Sequence, residues 1–141
     1  MSSWAARSPD VGQSAERSRR VTAEDIELFT AISGDRNPLH YDHDVAAKSR
    51  FGAVIVQGGI MTAILNAVVA EDLPGPGSVF LHVDWNFVAP VYPGDTITGR
   101  VEVVDVRLDK PITTLATTVR NQRGDVVLDG TAHTWTEPVD S

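Results

Sequence analysis

The spacing of apolar residues changes along this chain, and each change predicts a different kind of element. Residues 22–33, TAEDIELFTAIS, carry apolar side chains at helical spacing on or beside one face: Ile26, Leu28, Phe29 and Ile32. Thr22, with Asp25 at the third helical position, favours an N-terminal cap, and Gly34 favours a C-terminal stop. We therefore predict a helix of about three turns that ends at Gly34.

A second helical segment, residues 58–73 (GGIMTAILNAVVAEDL), is apolar on nearly every face. A helix with this pattern is expected to be buried on all sides. The segment is shorter than the roughly 20 apolar residues that cross a bilayer, and PGPGS at 74–78 ends it. We predict that it forms the central helix of a protein core.

The remainder of the chain alternates apolar and polar residues, as strands do. Turn signals separate four such segments: SVFLHVDWNF, GDTITGRVEVVDVRLD, ITTLATTVRN and VVLDGTAHTW. A weaker strand pattern over 11–21 predicts a short edge strand. Together the strands predict an antiparallel meander that curls around the apolar helix, an α+β fold. We assign 10–137 to this single domain, 1–9 to a flexible N-terminal tail and 138–141 to a C-terminal tail.

Composition limits the classes of function. The chain has 141 residues and 42% hydrophobic content, which suits one domain with one core. The formal net charge of -7 argues against a nucleic-acid partner, and we interpret Arg17, Arg19 and Arg20 as a solvated strand face. The absence of cysteine excludes a disulfide scaffold, a thiolate nucleophile and a cysteine zinc site. Since no segment matches a membrane span or a secretory signal, we expect a cytoplasmic protein without a membrane partner.

The densest polar segment, SGDRNPLHYDHD at 33–44, follows directly after the first predicted helix. Pro38 biases Asn37 toward an extended backbone, so residues 34–41 are predicted to form a rigid, turned loop. A short helical turn capped by Asp44 is expected to follow.

The titratable side chains of this loop allow two interpretations from the residues alone. Asp35 and His40 suit a helix-capping carboxylate and a loop-tying imidazole. Imidazole and carboxylate are also ordinary zinc ligands, so His40 and His43 with Asp42 and Asp44 form a candidate metal site. An aspartate and a histidine at this spacing are a weak signal by themselves.

A wider set of residues carries a family resemblance. The segments FTAISGDRNPLHYD, AAKSRFG, IVQGG and NFVAPVYPGDTI resemble the MaoC-like, R-specific enoyl-CoA hydratase family, and the resemblance extends from Val11 to Trp135. It implies a hot-dog fold, in which an antiparallel sheet wraps a central helix. It also implies that Asp35 and His40 are a catalytic pair that acts on one water in the reversible hydration of 2-enoyl thioesters of CoA or acyl carrier protein. Such a lyase uses no metal or redox cofactor and gives an R-3-hydroxyacyl product.

The chemistry of the residues is compatible with these roles. Hydration needs a base that takes a proton from water and an acid that protonates the alpha carbon, each worth roughly 10²- to 10⁴-fold. A carboxylate and an imidazole on one loop act from one face, which predicts syn addition. Asn37 and Pro38 are then loop support. We expect the N–H groups of Gly58 and Gly59, at the start of the central helix, to form the oxyanion hole.

Three polar residues at the central helix define a candidate substrate pocket: Gln57, Thr62 and Asn66. Gln57 stands where the family usually has a histidine before the glycine, so a second proton carrier is absent at that position. Thr62 and Asn66 need hydrogen-bond partners in an apolar helix. They either line the pocket or satisfy the neighbouring backbone, and the sequence leaves both open.

Two other functions remain as alternatives. A hot-dog thioesterase generally needs a carboxylate near the thioester, but the central helix carries no acid before Glu71 and Asp72. A divergent acyl-thioester-binding protein, which adds another nucleophile or serves as one subunit of a heteromeric hydratase, is kept open by Gln57 and Gly59. We expect an acyl-CoA or acyl carrier protein partner and a homodimer joined through its sheet edges.

Overall fold

The structure, a computed structural model, describes residues 3–139. Its strands are β1 Ser14–Arg20, β2 Ser78–Phe87, β3 Thr96–Val106, β4 Ile112–Arg120 and β5 Val126–Thr136. Its helices are α1 Trp4–Arg7, α2 Ala23–Ser33, α3 Pro38–Tyr41, α4 His43–Lys48 and α5 Gly58–Ala67, and α5 continues as a π-helical turn over Val68–Asp72. The strands form one antiparallel sheet in the order β1-β3-β4-β5-β2.

The predicted four-strand meander is wrong in one respect. Strands β3, β4 and β5 are neighbours in sequence order, but β2 pairs with β5 at the far edge instead of with β3. The segment after β2 crosses the end of the sheet, where Val88 N donates to Val127 O and Gly94 N donates to Val21 O. The alternation of β2 suits either neighbour, so sequence spacing does not distinguish the two pairings. The predicted edge strand is confirmed as β1, and its arginines lie exposed.

Helix α5 supplies the centre of the hydrophobic core. Its buried residues are Ile60, Met61, Ile64 and Leu65. They belong to one cluster with the buried alternate residues of the sheet, which include Val101, Val103 and Leu115. Burying one such side chain stabilises the fold by about 1.5–3 kcal/mol. The prediction that this helix is buried on all sides is wrong for the single chain, because Ala63 and Asn66 are exposed on the side that the sheet and α2 leave uncovered.

Helix α2 begins and ends as predicted. Asp25 Oδ2 accepts a hydrogen bond from Thr22 N, and Gly34 ends the helix in the left-handed conformation with φ 78°, which glycine adopts without strain. The predicted apolar face is only half buried, since Leu28 and Ile32 are 55% and 86% exposed. Both line an open groove of about 380 Å³ between β1, α2 and α5.

The N-terminal segment contains the helical turn α1, whose Trp4 Nε1 donates to Arg107 O at 2.7 Å. Residues 1, 2, 140 and 141, to which the predicted tails extend, lie outside the described residues. The flexibility of both tails stays a prediction. Within residues 3–139, no helix is long and apolar enough to cross a membrane.

Candidate active site

The end of α2 positions Asp35. The Asp35 N–H donates to Ser33 Oγ, and the hydroxyl of Thr30 donates to Asp35 O at 2.8 Å. The carboxylate also turns back toward its own loop, where Asp35 Oδ1 accepts from Asn37 N at 3.0 Å. These bonds leave Asp35 Oδ2 free to face the next element, and the side chain is 37% exposed.

Asn37 and Pro38 start the short helix α3. Asn37 Oδ1 accepts from Leu39 N at 3.0 Å, and Pro38 occupies the first helical turn, where its missing N–H leaves no donor unsatisfied. The expected turned loop is therefore found, but its second half is a helical turn. The predicted cap of the next helix is wrong by two residues: Asp42, not Asp44, caps α4, because it directly precedes the first turn and its carboxylate reaches the free N–H groups there.

His40 projects from α3 and is fixed by a backbone contact. Its Nδ1 lies 2.7 Å from Ile55 O, and because a carbonyl only accepts, Nδ1 carries the hydrogen. The other ring nitrogen, Nε2, lies 3.6 Å from Asp35 Oδ2. This separation is too long for a direct hydrogen bond. The imidazole side chain is 9% exposed and the carboxylate is more open, so solvent reaches the pair from the aspartate side.

Helix α5 starts with two glycines that both contact aromatic rings. A Cβ on Gly59 would lie 2.0 Å from Phe29 Cζ, and a Cβ on Gly58 would lie 3.0 Å from Phe87 Cε1. The packing therefore favours glycine at both positions, and much more strongly at Gly59 than at Gly58. The N–H groups of Gly58 and Gly59 have no acceptor among residues 3–139, as expected for the first turn of a helix. Gly58 follows Ile55 by three residues, so their Cα atoms are at most about 11 Å apart. The start of α5 therefore lies near the carbonyl that contacts the His40 ring.

The three polar residues of the candidate pocket have different surroundings. Gln57 is 2% exposed and is turned toward α2. Thr62 donates to Gly59 O at 2.9 Å, which satisfies the neighbouring backbone. Asn66 lies exposed on the uncovered side of α5. None of the three lines the open groove described above, and their role toward a substrate stays a prediction.

A buried hydroxyl that the sequence analysis missed lies behind the loop. Thr30 is 4% exposed, and its Oγ1 hydrogen-bonds to Asp35 O, Tyr41 Oη and Gln57 Nε2. The available signal was the spacing of Thr30 from Ile26, which places a polar residue on the buried face of α2. For the metal alternative, no cluster of three or more His, Cys, Asp or Glu side chains suited to a metal ion occurs within residues 3–139.

Comparison with known proteins shows which family this chain belongs to. The MaoC like domain family matches residues 5–124. The (R)-specific enoyl-CoA hydratase of Aeromonas caviae is 40% identical over 127 residues, which cover 90% of this chain and 95% of that protein. The mitochondrial 3-hydroxyacyl-[acyl-carrier-protein] dehydratase of Arabidopsis thaliana is 32% identical over 125 residues, which cover 86% of this chain and 74% of the relative.

The solved structures agree with the sequence relatives. The (R)-hydratase from A. caviae involved in PHA biosynthesis aligns with a TM-score of 0.87 and 38% identity, over 92% of this chain and 98% of that chain. The match confirms the single α+β hot-dog domain predicted from the sequence. The resemblance carried by the loop and the helix start is confirmed as well, and the chain belongs to the MaoC-like domain family.

Proposed function

We propose that this protein is an R-specific hydratase and dehydratase of 2-enoyl and 3-hydroxyacyl thioesters, with CoA or acyl carrier protein as the thiol carrier. The observation that carries the proposal is the pair of Asp35 Oδ2 and His40 Nε2, which face each other at 3.6 Å. The names of the A. caviae and A. thaliana relatives support the reaction class.

The polarity of the pair favours a bridging water. Because His40 Nδ1–H is directed at Ile55 O, a neutral form of the ring would present its Nε2 lone pair toward the carboxylate of Asp35. Two acceptors at this separation repel each other unless a donor lies between them. A water molecule has two O–H groups, and it can donate one to each side chain while its oxygen lone pairs remain available for attack.

The reaction balances with these two side chains. In hydration, the water oxygen bonds to C3 of the enoyl group while one member of the pair takes a proton from it. The pair returns a proton to C2, so no net proton is consumed. Both groups lie on the same loop and act on the same face of the double bond, so addition is syn. The scheme draws on no metal or redox cofactor, and we expect full activity in the presence of a chelator.

The start of α5 is suited to the negative charge on the thioester oxygen. The Gln57 side chain is directed into α2 and does not cap α5, so the N–H groups of Gly58 and Gly59 stay available. The positive end of the helix dipole adds to these donors. One oxyanion donor is typically worth about 2.7–4 kcal/mol of activation free energy. We propose that the thioester carbonyl binds there while C2 and C3 face the pair.

The exposed edge of the sheet supports a homodimer. Strand β2 is an edge strand, and Val79, Leu81 and Val83 on it are 57%, 53% and 39% exposed. An exposed apolar edge strand is prone to pair with another chain. Pairing with β2 of a second copy would join two sheets and bury these side chains. Light scattering after size-exclusion chromatography tests this arrangement, and a strict monomer would contradict it.

One assay separates this proposal from the alternatives. The protein is incubated with a panel of enoyl-CoAs and enoyl-carrier-protein conjugates, and the products are read by mass and by chiral chromatography. We expect a gain of one water and the R configuration. Release of a free thiol would indicate a thioesterase. A bound but unchanged thioester would indicate a binding protein or a subunit that needs a partner.

A further inference from the structure

We infer that Thr30, held in place by Gln57, is a positioning residue that fixes the catalytic loop relative to the start of α5. The inference rests on the proposed function, and its basis is the three-way hydrogen bonding of one buried hydroxyl. Thr30 Oγ1 lies 2.8 Å from Asp35 O and 3.0 Å from Gln57 Nε2, and it also contacts Tyr41 Oη.

The direction of each hydrogen bond can be assigned. The Asp35 carbonyl only accepts, so the single hydroxyl hydrogen of Thr30 is directed to it. Gln57 Nε2 also lies 3.2 Å from Ile26 O, another carbonyl, which fixes the amide nitrogen on this side. The amide therefore donates to both Ile26 O and Thr30 Oγ1. The remaining lone pair of Thr30 accepts from the hydroxyl of Tyr41, so all hydrogen-bonding positions of Thr30 are used.

The three partners of Thr30 belong to different parts of the site. Asp35 begins the catalytic segment, and Tyr41 directly follows His40, so one hydroxyl holds both ends of the segment that carries the pair. Gln57 directly precedes Gly58, the proposed oxyanion donor. The bond between Gln57 and Thr30 thus joins the acid–base pair to the site of the thioester oxygen. Thr30 and Gln57 are 4% and 2% exposed, so solvent does not readily replace these bonds.

The amide at position 57 suits this role chemically. A single Gln57 nitrogen supplies two hydrogens, one to Ile26 O and one to Thr30 Oγ1. A carboxylate would place an acceptor against the Ile26 carbonyl, and an imidazole nitrogen carries only one hydrogen. The glutamine is therefore suited to link α2 with α5 without introducing a titratable group.

Thr30→Val tests the inference because valine keeps the shape and removes the hydroxyl. Thr30→Ser keeps the hydroxyl and is the conservative variant. The matched control is Thr113→Val on β4, since Thr113 is also fully buried and its Oγ1 has no hydrogen-bond partner in the described structure. Steady-state kinetics are measured with crotonyl-CoA well below the melting temperature of each variant.

We expect Thr30→Val to lower kcat roughly 10- to 100-fold, because a small displacement of reacting groups has effects of this size. KM should change much less, since the N–H groups of Gly58 and Gly59 that would bind the thioester carbonyl remain. Thr30→Ser should recover most of kcat, Thr113→Val should match the wild type, and Gln57→Met should resemble Thr30→Val. An unchanged kcat in folded Thr30→Val, or an equal loss in Thr30→Ser, would overturn the inference.

A second measurement does not depend on activity. The amides of His40 and Asp42 donate to Asn37 O and Pro38 O within the loop. Their hydrogen exchange should become faster in Tyr41→Phe. This substitution removes the bond between Tyr41 and Thr30 and keeps the bonds of Thr30 to Asp35 and Gln57. Unchanged exchange in that variant would contradict the positioning role even if Thr30→Val failed to fold. Absence of hydration by the wild type would instead count against the proposed function. The hydrogen-exchange comparison between wild type and Tyr41→Phe would still test the positioning role of Thr30.

Discussion

The loop that carries Asp35 and His40 and the start of α5 have related proposed tasks but are built differently. The loop is held largely by neighbours in sequence, as Asp35 accepts from Asn37 N and Asn37 accepts from Leu39 N. The helix start is shaped by distant residues, because Phe29 and Phe87 cover the two glycines. The loop can therefore be recognised from a short stretch of sequence, whereas the packing at the helix start depends on residues that only the fold brings together.

This difference separates two kinds of substitution. Changes in the loop should affect chemistry first, since its short-range bonds position Asp35 and the start of α3, the helix that carries His40. Changes at Gly58 and Gly59 should affect stability first. Most substitutions keep the backbone N–H group, but any added side chain crowds the neighbouring Phe87 or Phe29 ring.

The largest effect is expected from the pair itself. Asp35→Asn and His40→Ala should each lower the rate of crotonyl-CoA hydration by roughly 10²- to 10⁴-fold, since each removes a proposed proton-transfer group. The rate is followed by the loss of enoyl absorbance, with circular dichroism as a check on folding. Asp44→Asn, a carboxylate on the adjacent α4, serves as the matched control and should keep wild-type activity. Full activity in either variant of the pair would refute the assignment.

The next effect concerns the helix start. Gly59→Ala should lower the free energy of unfolding by about 1–3 kcal/mol, because overpacking a tight contact has this magnitude. The added Cβ would meet the Phe29 ring at 2.0 Å. Gly58→Ala should be milder, since its nearest contact is Phe87 at 3.0 Å. Chemical denaturation measures both.

A double variant tests whether the Phe29 ring causes the loss of stability in Gly59→Ala. Phe29→Leu shortens the side chain that faces Gly59, so Gly59→Ala should destabilise the Phe29→Leu background less than the wild type. Equal losses in both backgrounds would show that the glycine is not required by this packing.

The helix caps provide a smaller, paired effect. Asn37→Ala should lower stability by about 1 kcal/mol, the usual contribution of an N-cap side chain, and it should also lower kcat because α3 carries His40. Asp42→Ala removes the analogous cap of α4 and should lower stability similarly with little change in kcat. Thermal melts and steady-state kinetics are measured on both variants. A loss of kcat in Asp42→Ala as large as that in Asn37→Ala would contradict the specific role of Asn37.

The smallest effect lies outside the site and depends on pH. The hydrogen-bonded Arg19 guanidinium lowers the pKa of Asp25, which also accepts from Thr22 N. A lowered pKa in the folded state stabilises the protein above the unfolded pKa of about 3.9, and this contribution is lost as pH falls through the folded value. Asp25→Asn should therefore melt at a lower temperature than the wild type at neutral pH. The difference in melting temperature between the two proteins should narrow below about pH 4. A difference that does not change with pH would show that the lowered pKa of Asp25 is not its cause.

The sequence predicted the elements that depend on local spacing. Asp25 and Gly34 bound α2, the loop turns at Asn37, and the strand pattern recurs in β3, β4 and β5. These features depend on residues within a few positions of one another.

The features that it did not predict depend on long-range pairing. Sequence alternation does not identify the neighbour of β2, and the helical pattern of α2 does not show that Ile32 remains exposed. The hydrogen bond between Thr30 and Gln57 could not be predicted from local spacing either, because the two residues lie 27 positions apart in sequence. The family motif predicts Asp35 and His40 as a pair, but only the structure shows their separation and the bond from His40 to Ile55.

Asp35 and His40 are proposed to add one water to one face of an enoyl thioester. The most direct test is hydration of crotonyl-CoA by the wild-type protein in D₂O, with the configuration at C2 and C3 determined in the product. We expect an R hydroxyl at C3 with deuterium delivered to C2 on the same face. An S product, deuterium on the opposite face or release of the thiol would contradict it.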